Sequence, residues 1–302
     1  MTCFRAMLLA AVCAGIPSLA VAQAPAPSLA VAQAPAPVLD SAQAPAPAPA
    51  QDEESDPDAR VDALQPDFNL AALPTTLRMP VHKLAFRVTH RFTRRLGQGD
   101  FGDLASDFFG FDSGAQIGLE LRYGLAPGTQ IGIHRTSDRT IQIFGQHNFL
   151  NERDGNPVGL DAIATLEARN NLHTRYQSAL GLVLSRNVGR RAAFYAEPIW
   201  VANTNPAANA GFDNSTPMVG LGTRLRVRPS TYLVAEITPR LGGFDPGVSQ
   251  ISFGLEGRAG GHLFQLNVSN GFGTTLGQIA GGASSNNDND WYIGFNIARK
   301  FF

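Results

Sequence analysis

From His82 to Phe302, apolar side chains recur at every second position in runs of about eight to twelve residues, separated by Gly, Pro, Asn and Asp. The phase is clear in Leu84, Phe86, Val88; in Ala115, Ile117, Leu119, Leu121; in Val158, Leu160, Ala162, Ala164, Leu166; and in Ile251, Phe253, Leu255. A two-residue period places alternate side chains on opposite faces of a strand, so each run has one apolar and one mixed face. The pattern predicts twelve strands, near 83–92, 113–124, 129–136, 139–149, 157–167, 174–187, 192–202, 215–228, 231–240, 248–259, 262–270 and 291–302. In the last of these, Trp291, Ile293, Phe295, Ile297, Arg299 and Phe301 share the apolar phase, and Tyr292, Gly294, Asn296, Ala298, Lys300 and Phe302 the other. Outer-membrane barrels commonly end on an aromatic of the lipid-facing phase; here Phe301 has that phase and Phe302 does not.

Strands of this length suit a tilted crossing of a bilayer, about 9–11 residues each. Connection lengths separate a membrane barrel from a soluble sandwich. At one end are short turns at Ala126-Pro127-Gly128, Asn151–Asn156, Val188–Arg191, Pro229-Ser230 and Gly260-Gly261. At the other lie Thr93–Asp112, Asn203–Asn214, Leu241–Gly247 and Gly271–Asp290, with Ser137-Asp138 the one short exception. That asymmetry belongs to outer-membrane barrels, with short periplasmic turns and longer outer loops. The expected fold is therefore all-β: a transmembrane antiparallel up-and-down barrel of about 12 strands, closed by pairing the last strand with the first, so that no edge is left exposed.

Composition divides the chain. Met1 to Ala22 reads as a secretory signal, with Arg5 in the n-region, an apolar core from Met7 to Ile16, and Ala20-Val21-Ala22 as cleavage site. The second Ala-Val-Ala, at 30–32, leaves the mature start open. Ala-Gln-Ala-Pro-Ala-Pro recurs at 22–27, 32–37 and 42–47, and an acidic run follows at 51–62. Proline at that density and few groups to bury predict a disordered Pro/Ala-rich periplasmic linker over 23–77, ahead of a barrel domain at 78–302. The net charge of −1 gives no argument for nucleic acid, although the charge is uneven: residues 78–302 hold 22 Lys+Arg against 17 Asp+Glu and residues 23–77 one against eight. Both cysteines, Cys3 and Cys13, fall in the signal, so the mature chain is expected to have no disulfide and no cysteine metal site.

Several short motifs are similar to those of a known family. His90-Arg-Phe92, Phe108-Phe-Gly-Phe-Asp112, Tyr123-Gly124, Arg135-Thr-Ser137, Gly260-Gly-His-Leu-Phe-Gln-Leu266 and Gly294-Phe-Asn-Ile-Ala-Arg299 resemble a bacterial β-barrel family known as domain of unknown function 5777. The likeness runs from about Pro80 to Phe302. It implies an outer-membrane barrel of uncharacterised activity and carries over no functional residues.

The face opposite the apolar phase is the expected lumen. It collects Arg87, Arg91, Glu120, Arg122, His134, Asp161, Glu167, Glu197, Arg224, Arg226, Glu236, Arg240, Glu256, Arg258 and Lys300. Such groups are tolerated at membrane depth where they face water or one another. In one reading they line a porin-like or facilitator channel for small solutes; in the other they pair, and a closed barrel serves as scaffold or binds partners through its outer loops. Phe101, Phe108, Phe109 and Phe111, in the first outer loop, are candidates for an inward-folding constriction, or else belong to the outer aromatic girdle.

Asn286-Asn-Asp-Asn-Asp290 offers oxygen ligands but lacks the spacing and glycine of a calcium loop. The six histidines are scattered singly, and His134 and Ser137 have opposite phase, so a hydrolase is not expected, nor a cofactor or metal. Gly220-Leu-Gly222 reads as lumen-side packing, since no helix follows it to make a phosphate loop. The expected partners are outer-membrane lipid, the barrel-assembly machinery during insertion, and small solutes.

Overall fold

A computed structural model describes residues 62–207, 213–245, 247–282 and 290–302. The strands are β1 (Leu84–Phe92), β2 (Ala115–Ala126), β3 (Thr129–Thr136), β4 (Ile141–Leu150), β5 (Gly159–Arg169) and β6 (Thr174–Val188). They continue as β7 (Ala192–Ala202), β8 (Ser215–Arg228), β9 (Thr231–Thr238), β10 (Gln250–Ala259), β11 (His262–Ser269) and β12 (Tyr292–Lys300). Each pairs antiparallel with its sequence neighbours, and β1 pairs with β12 to close the barrel. At the seam Phe86 lies opposite Arg299 and Val88 opposite Ile297. The Phe301 N–H donates to the Leu84 carbonyl at 2.9 Å, carrying the ladder one step past the strand.

The two faces follow the alternation. Leu119, Leu121, Ile143, Leu180, Leu233, Phe253, Leu255 and Leu266 point outward and are exposed, as a lipid-facing band requires. Their neighbours Glu120, Arg122, Gln142, Val234, Ser252, Glu256 and Gln265 point inward and are buried. In β12 the even residues Tyr292, Asn296, Ala298 and Lys300 are inward, and Phe301 is exposed.

The lumen is filled. Its occupant is the stretch from Asp62 to Met79, in which Leu64, Phe68, Leu70, Leu73, Leu77 and Met79 are buried. The expected linker boundary at residue 77 is therefore corrected: residues 62–77 pack inside the barrel, while residues 23–61 and the signal at 1–22 lie outside the described residues. The segment runs in and out as a hairpin. Asn69 bridges to Pro74, the Leu70 N–H donates to the Leu73 carbonyl at 2.7 Å, and the Thr75 N–H to Phe68 at 2.8 Å. Pro74 has no N–H to give, and the pairing resumes one residue further from the tip, at Thr75. Leucines that could not be buried in a linker are sheltered by strands that come far later in the chain.

The hairpin enters and leaves through the end with the short turns. Near the start of β9, the Tyr232 hydroxyl donates to the Ala63 carbonyl at 2.9 Å. On the way out, Pro80 runs so close to Gly124 of β2 that a Cβ there would strike its carbonyl. The opposite mouth holds a short helix, α2 (Leu276–Ala280), capped by a reciprocal Thr275–Gln278 box. Leu276, Ile279 and Ala280 join Leu70, Leu73, Ile163, Val183, Ile199 and Met218 in one apolar cluster inside the barrel.

Candidate functional site: the occupied lumen

The tip of the hairpin is held by its backbone. One carboxylate oxygen of Glu236 (β9) accepts the N–H groups of Ala71, Ala72 and Leu73 at 3.0, 3.0 and 3.1 Å. The carbonyls of the same turn face basic and amide side chains. Arg87 Nη2 donates to Ala71 at 2.7 Å and Leu70 at 3.2 Å, and Arg91 Nη2 to Ala71 at 3.3 Å. Asn296 Nδ2 reaches Ala71 at 3.0 Å, Gln265 Nε2 reaches Leu70 at 3.3 Å, and Arg224 Nη2 reaches Asn69 at 2.7 Å. Polar groups taken out of water must find partners; here the turn's peptide groups are partners to the wall.

Shape supports the same arrangement. The Leu70 side chain occupies the space that a Cβ on Gly222 would fill, and the methyls of Leu73 come within 2.9 Å of a Cβ placed on Gly220. Gly220-Leu-Gly222 thus leaves two side-chain-free positions on the lumenal face of β8 for two plug leucines. The Arg122 guanidinium lies 4.9 Å from the Phe68 ring and 4.6 Å from Phe144, and donates to Asn69 Oδ1 at 3.3 Å.

Among the wall charges, Arg224 and Glu256 form a bidentate pair at 2.7 and 3.0 Å with neither side chain exposed. Arg122 pairs with Glu120 at 2.9 Å, with His134 4.0 Å from the same carboxylate. The Asp161 carboxylate accepts from Gln146 at 2.6 Å and from Asn148. Asp67 of the plug lies 3.6 Å from Lys300 and 4.0 Å from Arg87. Glu197 is fully buried, and neither of its oxygens has a hydrogen-bond partner among the described residues.

At the short-turn end two ion pairs clasp the hairpin to the loop between β4 and β5. Arg153 meets Asp62 at 3.1 Å on the way in, and Arg78 meets Asp154 at 2.5 Å on the way out. A cavity of about 120 Å³ lies beside them. Glu152 in that loop accepts the Asn187 N–H, and burial pushes its carboxyl up, against those contacts. At the other mouth, Glu167 accepts the Gly277 N–H at 3.2 Å, and Gln278 donates to Asp138 at 3.1 Å. Burial pushes the Asp138 carboxyl up, but hydrogen bonds from Thr136, Thr140 and Gln116 outweigh it and hold it below the usual aspartate range.

The lumenal residues expected from the strand phase divide by depth. Arg87, Arg91, Glu120, Arg122, Asp161, Glu197, Arg224, Glu236 and Glu256 are all buried inside the barrel. Arg226 and Arg258 sit only half-buried near the short-turn rim, where Arg226 donates to the Pro229 carbonyl at 2.9 and 3.1 Å. The first outer loop does not fold into the lumen. Phe101, Phe108, Phe109 and Phe111 are exposed around helix α1 (Phe101–Ser106), in edge-on or tilted contact with one another and, for Phe111, with Phe92, which departs from the inward-constriction reading. Among the described residues, 271–282 enter the mouth, through α2. His134 is buried beside Glu120, whereas Ser137 Oγ accepts the Ile117 N–H at 3.0 Å, so the two serve separate contacts. Asn286–Asn289 lie outside the described residues, and among those described no group of His, Cys, Asp and Glu could hold a metal.

A closed twelve-stranded wall with an apolar outside and a charged, plugged inside defines a transmembrane β-barrel. The chain belongs to the family described as membrane bound beta barrel domain (DUF5777), which it matches over residues 67–301, a span that takes in the plug tip as well as the wall. No curated protein matches it in sequence. Among solved structures it is similar to the KdgM porin in complex with disordered oligogalacturonate, at 8% identity and a TM-score of 0.48, over 72% of this chain and 99% of that one. The NanC porin gives 9% identity and 0.48 over 72% and 99%. The COG4313 outer membrane channel from Pseudomonas putida F1 gives 11% and 0.47 over 74% and 97%.

Proposed function

We propose that the chain is an outer-membrane channel for small solutes, held shut in this state by its own residues 62–79. The observation that carries the reading is the way the hairpin is bound. Its tip is held through backbone groups by Glu236, Arg87 and Arg91, the kind of contact that water or a polar solute can replace. Its rim is held by ion pairs that are partly exposed on both sides, and such pairs contribute little, about 0–1 kcal/mol. A segment meant only to fill a barrel permanently has no need of charged groups at membrane depth. With the hairpin out, a twelve-stranded wall encloses a polar passage. The short turns then face the periplasm, the Pro/Ala tract of residues 23–61 tethers the plug there, and residues 1–22 act as a cleaved secretory signal.

A second reading keeps the barrel shut as a scaffold, and one feature favours it: two cavities beside the plug around Asn69 measure only about 20 and 10 Å³, at most room for single waters, and the 120 Å³ cavity lies at the rim. Planar-bilayer recording separates the two. The intact chain should be silent or open rarely, and a chain lacking residues 62–79 should conduct steadily. Silence from a correctly folded deletion variant would leave the scaffold. For orientation, a cysteine at Ser106 should react with an impermeant label on whole cells and one at Ser230 should not.

A further inference from the structure

One plug residue touches both signs of charge in the wall. The Ala71 N–H is bound by the Glu236 carboxylate at 3.0 Å, and the Ala71 carbonyl by Arg87 at 2.7 Å, Asn296 at 3.0 Å and Arg91 at 3.3 Å. An anionic and a cationic group of the wall are therefore held apart by the span between the nitrogen and the carbonyl oxygen of a single amino acid.

The charge count around that span makes it more than a fold contact. The pairs Arg224–Glu256 and Arg122–Glu120 neutralise themselves within the wall. Removing the hairpin also removes Asp67, the partner of Lys300 and neighbour of Arg87. What then faces the passage is a basic side, Arg87 and Arg91 on β1 with Lys300 on β12, and an acidic side, Glu236 on β9 with Glu197 on β7, while Asp161 on β5 stays held by Gln146 and Asn148. In the ring of twelve strands β7 stands opposite β1. Glu197 and Glu236 flank β8 at Gly220 and Gly222, so no side chain separates the two carboxylates from the hairpin. Two further observations point to a ligand stronger than a peptide group. Both oxygens of Glu197 and the Nε and Nη1 of Arg87 are buried and without hydrogen-bond partners among the described residues.

Building on the channel reading, we propose that the site filled by Ala71 recognises free α-amino acids, with the ammonium on Glu236 and Glu197 and the carboxylate on Arg87 and Arg91, assisted by Asn296. A simple anion satisfies the arginines and leaves two carboxylates facing it; a simple cation does the reverse. A zwitterion with one carbon between its charges meets both, and charge-assisted hydrogen bonds replace the neutral ones that the plug makes. The plug is then a tethered competitor for the solute, and amino acids favour the open state as well as passing through it.

The test is block of ionic current by L-alanine, compared with lactate and ethylamine, each of which keeps one of its two charges. It uses the chain lacking residues 62–79 and, as a full-length alternative that leaves Gly220 and Gly222 in place, Phe302→Ala, which removes a contact with plug residues Phe68, Leu77 and Met79. One charged hydrogen bond more or less corresponds to about tenfold in affinity, so alanine should half-block at a concentration at least about tenfold below either analogue. Glu236→Gln should shrink the difference between alanine and lactate, and Glu236→Gln with Glu197→Gln should remove it. Equal block by lactate, or no block by alanine, in a conducting protein overturns this assignment and leaves the channel intact. Absence of current in both proteins overturns the channel itself, and this assignment with it.

Discussion

Leu70 of the plug occupies the space that a side chain on Gly222 of the wall would need. Residues more than a hundred positions apart in sequence therefore share one volume, and enlarging either one expels the other. Overpacking a filled interior costs about 1–3 kcal/mol. Gly222→Leu should shift the plug equilibrium toward the open state by roughly tenfold or more, raising channel open probability while the heat-resistant barrel band on electrophoresis is unchanged. Gly145, which faces lipid with nothing near its Cβ position, is the control: Gly145→Leu should leave gating as it is.

Phe301 and Phe302 have separate tasks although they are adjacent. Phe301 is exposed on the lipid side, and Phe302 packs against Phe68, Leu77 and Met79 of the plug and Ala85 of the wall. Phe301→Ser should lower the amount of protein inserted in the membrane, measured by fractionation. Phe302→Ala should leave insertion near normal and loosen the plug, read as more frequent openings.

How much of this was legible in the sequence depends on where the information lies. A strand that faces lipid on one side and a polar lumen on the other writes its geometry into alternate residues. The runs around Phe86, Leu119, Leu166 and Phe253 therefore carry the strand count, the phase and the seam. The lumenal set Arg87, Glu120, Arg224 and Glu256 came with it as the opposite phase. The plug has no period. Its Leu64, Phe68, Leu70 and Leu73 stand among Asp67, Asn69 and Pro74; β5 to β9 and helix α2 shelter the leucines, and Ala85 and Arg122 of β1 and β2 shelter Phe68. Five large apolar residues between 64 and 77, directly after an acidic run, were the available signal, together with two glycines next to the arginines on the lumenal face of β8. Helix α2 has only five residues, too few for a pattern. The four phenylalanines of the first long loop left two readings open in sequence, an inward constriction or an outer girdle, because aromatic content alone does not say where a loop folds; all four are exposed.

Arg224 and Arg226 share a strand and a phase, and they should differ in effect. Arg224 is fully buried and bidentate with Glu256; breaking such a pair from one side costs about 3–5 kcal/mol. Arg224→Gln should lower thermal stability markedly, and Glu256→Gln added to it should recover part of the loss, because the stranded carboxylate is gone. Arg226, at the rim, should tolerate Gln with little change. Thermal unfolding followed by circular dichroism checks all three.

The mouth held by α2 should loosen in acid. Asp138 accepts from Gln278 of α2 and is held below the usual aspartate range. A group whose pKa falls on folding contributes stability that is full above its unfolded value, about 3.9, and is lost as pH drops through the lower folded value. Protease cleavage within 271–282 should therefore accelerate below about pH 4 and be faster already at neutral pH in Asp138→Asn. Gly277→Ala should act in the same direction at any pH, since a Cβ there meets the Glu167 carboxylate that receives the helix.

The central claim is that solutes pass only when residues 62–79 leave the lumen, and a reversible tether tests it most directly. Leu70→Cys with Gly222→Cys places two thiols on the plug and on the wall it touches, in a chain whose other cysteines are Cys3 and Cys13. Conductance is recorded from one protein in a planar bilayer, first oxidised and then after dithiothreitol. The account predicts no openings while the disulfide holds and openings once it is reduced. Openings of equal size and frequency in both states would contradict it.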